Sequence, residues 1–513
     1  MAEIKINTIL GGISPSQNFA TETQYNSAIG IDPDMPISDS DIKASGYIRP
    51  TAMEKFSSTT ITDVPYWIVN TPKDANTYIY AKDGKIHTVG SGITIGADAG
   101  TVTSSSGNGA EYYDNYLYLA KNTDISRYGP LNGTPSLTQA YWTSTLSLAA
   151  LTNTTYPSLR GIPIPNHAMK RNPNTNKLYI CDVNSSNQGV LHSIRTSKTT
   201  VEGDTNNGSS ASVVTFPYGY YPTCVEIFGT DAVVGLIEGV NTTIKQSNAA
   251  IAFWDTTTTT GYQKIIQVGF ADPLITAIKN VNGTLYVWSG NASGGCRVSK
   301  YVGGYSFQEV FYDAESLPPF QGAVDSDMNR CVWGGFTTYP TASAGVFAHG
   351  SKISALGGGT HMVLKSTSAG ANPMVTALKY VEHASGSKKR PIVCWKDDST
   401  QGADKLSTTY GTNVWRSQVF RIGKKFKIER VRFPLGQALG ANMTITPKVY
   451  VDNFSSSETG ATINSTNYSG KRHVKQDYTI SGENDFCIEL TWSGTALVTV
   501  GLPIIIEFTT SES

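Results

Sequence analysis

The chain is 513 residues long, several times a usual domain, so two or three cores or one large closed β architecture are expected. Forty basic and forty acidic side chains cancel to a formal charge of zero, which excludes an overall field steering the chain onto nucleic acid or an anionic membrane. Charged residues are only 16% against a usual figure of about 25%, and Ser, Thr, Asn and Gly crowd the gaps between apolar runs, the composition of a turn-rich, all-β protein.

The start, "MAEIKINTIL", lacks the basic and long apolar regions of a signal peptide, so folding in a cytoplasm is expected and the many N-x-[ST] matches are read as products of composition. Ile4 and Ile6 alternate as in a strand added to a sheet of this chain or of a neighbour. Residues 11–50 then show almost no periodicity, and residues 1–60 read as an extended N-terminal arm. Asp32, Asp34, Asp39 and Asp41 suggest the oxygen ligands of calcium. Pro36, Ile37 and Lys43 occupy places where an EF-hand loop needs a ligand, a glycine and a glutamate, so no metal is expected and the aspartates read as solvated or capping. Prolines 33, 36 and 50 keep such an arm extended and lower the entropy lost on docking. Ile29, Ile31, Pro33, Met35, Pro36, Ile37 and Tyr47 are therefore expected contacts with neighbouring subunits. Thr51 and Glu54 have capping-box spacing, which predicts a turn or two of helix.

From residue 61 to 410, short alternating or β-branched runs recur between Gly, Asn, Asp and Thr turns: "TYIYAKDGKIHTVG", "NYLYLAKNTDISRYG", "KLYICDVNSSNQGVLHSI", "DAVVGLIEGV", "GTLYVWSGNASGGCRVSKYVGG", "NRCVWGGF" and "PIVCWKDD". Their spacing, about forty to sixty residues, matches one four-stranded propeller blade each. Seven blades are predicted, with six or eight accommodated nearly as well and a pair of stacked sandwiches as the structural competitor. A single Trp-Asp pair, in "AFWDTTTTTG", sets the chain apart from WD repeats.

Residues 411–513 change texture. Five alternating runs, from "WRSQVFRIGKKFKIERVRFPLGQ" to "ALVTVGLPIIIEFTT", predict a C-terminal antiparallel β-sandwich. Phe426 and Ile428 share one parity and Val431 and Phe433 the other, which predicts a β-bulge near Glu429 and Arg430. Lys424, Lys425, Lys427, Arg430 and Arg432 line one face of the same strand. That face reads first as the charge that protects a sheet edge, and second as a contact for an anionic partner such as DNA. The longest apolar run, "LPIIIEF", is far short of the roughly 20 residues of a spanning helix, so no membrane insertion is expected.

No nucleophile elbow, zinc-protease helix, P-loop or dinucleotide fingerprint occurs, and no catalytic residue or cofactor is assigned. The six cysteines lack a C-x-x-C pair and read as buried thiols. The seven histidines lack ligand-like pairing, and "ALGGGTHM" reads as a propeller turn before a phosphate cradle. Asp182, Asp255, Asp313 and Glu315 stand at run ends where a propeller mouth would gather carboxylates, although turns use the same residues. Trp288, Trp333 and Tyr305 are candidates for stacking on sugar rings.

The passages "YLYLAKNTDISRYGPLNG", "AAIAFWDTTTTTGYQKIIQVGFADPLITAIKNVNGTLYVWSGN" and "WRSQVFRIGKKFKIERVRFPLGQALGANMTITPKVYVDN" resemble segments of virion proteins of tailed bacteriophages. The resemblance implies a non-enzymatic structural component of the tail, at a tip, nozzle or fibre-attachment position. It implies several copies contacting one another and other tail proteins, assembled in the host cytoplasm. The alternative from another class is a carbohydrate-binding or glycan-processing propeller that recognises a host surface glycan.

Overall fold

The computed structural model describes residues 1–14, 24–34, 47–56, 61–71, 76–90, 95–103, 107–141, 156–184, 186, 188–194, 212–240, 243–244, 249–257, 261–268, 272–338, 342–352, 358–368, 370–382 and 389–511. Among these, seven antiparallel four-stranded meanders follow one another as blades 1 to 7, over residues 65–101, 109–138, 169–215, 220–267, 274–313, 324–365 and 373–406. Their innermost strands are Pro65–Asn70, Gly109–Tyr113, Met169–Asn172, Tyr220–Phe228, Leu274–Val281, Val324–Asp327 and Pro373–Glu382. Each touches the next, and the seventh touches the first, so the sheets close into a β-propeller.

Each blade buries both faces against its neighbours, which is why its strands read as short continuous apolar runs. Lys177–Val183 and Ala250–Trp254 are buried at every position. Trp254, Trp288 and Trp333 are among the largest fully buried side chains. The six cysteines are unpaired thiols buried in these strands and in the sandwich, as expected.

Blade 7 supplies only three strands from its own segment. Its fourth, Met53–Lys55, comes from the other end of the chain and pairs antiparallel with Thr400–Leu406. The ring is thus closed by its own N-terminal segment, covering an edge that would otherwise be exposed. This replaces the helix predicted from the capping-box spacing. Thr51 donates instead to the carbonyls of Gly30 and Val363, and Glu54 pairs with Lys405, so pairing across the ring overrides the local signal.

The C-terminal unit is a β-sandwich. One sheet holds Ala2–Ile6, Ile504–Thr510, Phe426–Pro434 and His473–Asp477 in spatial order. The other holds Gln24–Ile29, Asn413–Ser417, Asp485–Trp492, Ile445–Val451 and Ser456–Thr459. The expected bulge is present, since pairing shifts between Ile428 and Arg430 and lets Phe426, Ile428, Val431 and Phe433 all reach the core.

The reading of residues 1–60 as an arm for neighbouring subunits is corrected over the described residues. Ala2–Ile6 is an edge strand of the sandwich, and Gly12–Ile13 lies parallel to both Gln24–Ile29 and the outer strand of blade 6, Thr360–Lys365. One continuous sheet therefore runs from blade 6 into the sandwich. Ile29 and Ile31 are buried in this chain's own cores, Pro33 is buried, and the Tyr47 ring lies against Gly501. The apolar surface of Ile29, Ile31 and Pro33 is already spent inside the chain, and Tyr47 is half-buried. Met35, Pro36 and Ile37 lie outside the described residues. The Gly run of "ALGGGTHM" acquires its purpose here. A Cβ on Gly359 would fall 2.2 Å from the Gly11 backbone, and one on Gly12, whose φ is +79°, 2.4 Å from the Thr360 nitrogen. Only glycine lets the N-terminal segment come this close to blade 6.

Deleting residues 1–56 is therefore expected to destroy the cooperative thermal transition and open the blades to limited proteolysis. An unchanged transition in circular dichroism would contradict the closure.

Candidate functional site

Propellers gather side chains in the central channel, and here the channel is filled by charge. Proceeding from blade 2 to blade 7, the innermost strands contribute Glu111, Lys170, Glu226, Lys279, Asp325 and Lys379, alternating in sign, and all of these but Asp325 line a cavity of about 100 Å³. Lys170 lies 3.0 Å from Glu226, and Asp325 is 3.0 Å from Lys279 and 3.4 Å from Lys379. The backbone N–H of Tyr380 also donates to Asp325 at 2.8 Å. Burial would raise the Glu226 and Asp325 carboxyls, but the surrounding lysines outweigh it and hold both below the usual carboxylate range. Burial likewise opposes the charge on Lys279, and Asp325 and Glu226 more than restore it.

The local reason lies in a shared strand design. A bulge falls between Pro65 and Trp67, Pro222 and Cys224, Ile275 and Ala277, and Val375 and Ala377. Two residues further on stand Val69, Glu226, Lys279 and Lys379, all lining the channel. The sequence signal was present in "TCVE", "TAIK" and "TALK" at residues 223–226, 276–279 and 376–379.

A second charged cluster fixes the N-terminal segment. Arg330 of blade 6 donates to both oxygens of Asp32, at 2.7 and 3.0 Å, and to Asp327 at 2.6 Å, with Lys352 3.2 Å from Asp327. Asp32 is 3% exposed, and Asp34 accepts from the backbone of Lys352. The expectation of solvated aspartates is thus corrected for Asp32 and Asp34, whereas both do accept backbone N–H groups, Asp32 that of Asp34 at 3.0 Å. Asp39 and Asp41 lie outside the described residues. Although burial alone would raise it, the Asp32 carboxyl is held well below the usual range by Arg330 and Lys352. Beside the cluster, the Tyr25 hydroxyl lies 2.6 Å from Nδ1 of His361. Burial pushes His361 down to about 3 and His349 down to about 4.

The remaining sequence candidates are dispersed. Asp182 is inside blade 3, 3.0 Å from His192, and not at a mouth. Asp255 accepts from the Thr257 N–H in a turn. Asp313 and Glu315 do come together, along a cleft between blades 5 and 6 and the sandwich. Trp288 and Trp333 are core residues at 0% and 1% exposure, which removes them as sugar platforms, whereas Tyr305 is 71% exposed. The basic strand Phe426–Pro434 is internal to its sheet, so the edge-protection reading is corrected. Its charges are matched: Lys425 by Glu483, Lys427 by Glu429, Arg430 by Asp477 and Glu507, and Arg432 by Glu3 and Glu507. Lys424 is exposed at the turn before it. Among the described residues no group of three or more His, Cys, Asp or Glu is arranged to hold a metal ion, and no helix is long and apolar enough to cross a membrane.

No protein-family model matches the chain, and no curated protein matches it. Among solved structures it is similar to a Swd1 β-propeller domain from Myceliophteria thermophila, at 8% identity and a TM-score of 0.42, covering 70% of this chain and 100% of that one. YCF48 from Cyanidioschyzon merolae is similar at 13% identity and a TM-score of 0.41, with 69% and 98% covered. An exo-β-1,3-galactanase from Phanerochaete chrysosporium is similar at 7% identity and a TM-score of 0.30, with 90% and 100% covered. None of these likenesses transfers a residue role or an activity.

Two predictions follow from the charged clusters. Lys279→Met removes a cation facing both Glu226 and Asp325, and is expected to cost about 3 kcal/mol in urea unfolding, because it leaves buried carboxylates under-compensated. The histidines set an acid limit. Unfolded, an imidazole binds a proton near 6.5, while folded His349 and His361 do so only near 4 and 3. Protonation therefore favours the unfolded chain, and the melting temperature is expected to fall as pH drops from 6.5 towards 4. His361→Gln should flatten that slope.

Proposed function

We propose that the chain is a non-enzymatic structural platform: a tail-associated virion component, as the resemblance to tailed-bacteriophage proteins implies, present in several copies and contacting other tail proteins. The observation that carries this reading is the continuous sheet from blade 6 through Gly12–Ile13 and Gln24–Ile29 into the sandwich, which links a closed ring and a second module by main-chain pairing. Such joining suits a part that fixes the angle between neighbours.

The central channel supports the same reading. Three ion pairs, Lys170 with Glu226 and Asp325 with Lys279 and Lys379, tie the innermost strands of blades 3 to 7 together, and paired buried networks stiffen a core. Matched charges on the basic sandwich strand leave little net field for DNA.

The test is to label this chain on assembled tail particles and image them, with light scattering on the purified protein. Ordered label at the tail, with several copies per particle, is the expected result. A stable monomer that also fails to join tail particles would overturn the proposal.

A further inference from the structure

The strand Ala2–Ile6 stands at the end of its sheet, paired on one side with Ile504–Thr510. Among the described residues nothing pairs with its other side, so main-chain N–H and C=O groups face outward along it. The opposite end of the same sheet is guarded. There the Tyr468 hydroxyl donates to the Lys475 carbonyl of the end strand His473–Asp477 at 2.8 Å, using up part of that edge. Ala2–Ile6 has no such guard. It contains no proline, and its pairing runs from Ala2 with Phe508 to Ile6 with Ile504 without a bulge.

The side chains of this edge complement one another when the strand meets its own copy. Ile6 is buried in the sandwich core and Ile4 packs against it half-buried, so Ala2, Ile4 and Ile6 share the inner face while Glu3 and Lys5 share the outer one. Laid antiparallel on a second copy about a two-fold axis at Ile4, the strand sets Glu3 opposite Lys5 of that copy and Lys5 opposite its Glu3. Ile4 then meets Ile4, and Ala2 meets Ile6, on the inner side. Moving the axis to Glu3 or to Lys5 opposes like charges, and a slip of one residue sets the apolar face of one copy beside the charged face of the other. One register is therefore favoured over its neighbours.

We propose that Ala2–Ile6 is an isologous interface, through which two copies of this chain join their sandwiches into one sheet across a two-fold axis. The present partners of the charges do not compete with it. Glu3 lies 3.6 Å from Lys5 and 3.3 Å from Arg432, all in solvent-facing pairs of the kind that hold little energy. Arg432 also pairs with Glu507, so it stays matched when Glu3 turns to the second copy. Five residues make a contact below the standard interface size, so the dimer is weak in free solution and is favoured where an assembly holds copies side by side. The proposal deepens the platform reading, on which it rests for the presence of several copies, by naming the edge that joins them.

The experiment is sedimentation equilibrium of the full-length purified chain at concentrations up to about 100 µM, with hydrogen exchange of residues 2–6 followed over the same series. Wild-type protein should dimerise as concentration rises, and exchange at Ala2–Ile6 should slow with it. Glu3→Lys and Lys5→Glu each oppose like charges twice per dimer, and each should weaken self-association about tenfold or more. An equal mixture of these two variants brings opposite charges together again and should dimerise like wild type. Should Glu3→Lys lower the melting temperature through its contact with Arg432, Lys5→Glu carries the test alone. A monomer at every concentration overturns the proposal, as does dimerisation unchanged in a folded variant or exchange at residues 2–6 that ignores concentration. Tail incorporation separates the two readings: a monomer that still joins tail particles sinks the strand pairing alone, and one that fails to join sinks the platform as well.

Discussion

The contact on which the rest of the molecule depends is the buried pair of Arg330 and Asp32. It lies at the place where the N-terminal segment leaves the sandwich and approaches blade 6, and it is made across a separation of 298 residues. Before that point the segment has given strands to both sandwich sheets; after it, Met53–Lys55 closes blade 7. A guanidinium buried this deeply tolerates only one arrangement of its carboxylate partners, so the pair fixes the register of a segment that has little periodicity of its own. Asn413 reinforces it, donating from its amide to the carbonyls of Gly30 and Thr51.

This explains how much was legible. The blades were readable because each is a local meander whose strands are apolar in continuous runs, and the sandwich because its strands alternate. The bulge at Ile428 and Arg430 was readable for the same reason, since a parity change in one strand has few other causes. The N-terminal segment was not. Gln24–Ile29 reads "QYNSAI", with a bulge that breaks its alternation, and it is held by partners hundreds of residues away. Asp32 looked solvated because its partner, Arg330, stands alone in "DMNRCVWGGF" with nothing nearby to mark the pairing. The proline-rich composition suggested an extended chain, but Pro33 stands in a turn and Ile31 bridges antiparallel to Pro50, so the described ends of the segment lie side by side; composition indicated neither this nor the surface the chain lies on.

The candidate sites divide along the same line. Asp313 and Glu315 were visible as carboxylates at a strand end, but their opposite wall, Asn26, Ser27 and Phe454, comes from the N-terminal strand and a sandwich turn. A cleft between modules has no sequence signature, because each wall is an ordinary strand end or turn until the modules meet. The channel charges were open to detection through the repeated "TAIK" and "TALK", because each blade builds its own part of the ring by a local rule.

Charge alternation in that ring meets a constraint of number. Six side chains of opposite sign can alternate, but seven cannot, since an odd ring must place two like charges side by side. The chain resolves this at blade 1, where Val69 occupies the place two residues beyond the bulge, between Lys379 of blade 7 and Glu111 of blade 2. A charge there would repel one neighbour at close range in a poorly screened interior. The same economy holds in the channel, where three carboxylates face three lysines, and along the basic sandwich strand, whose cations each meet a carboxylate.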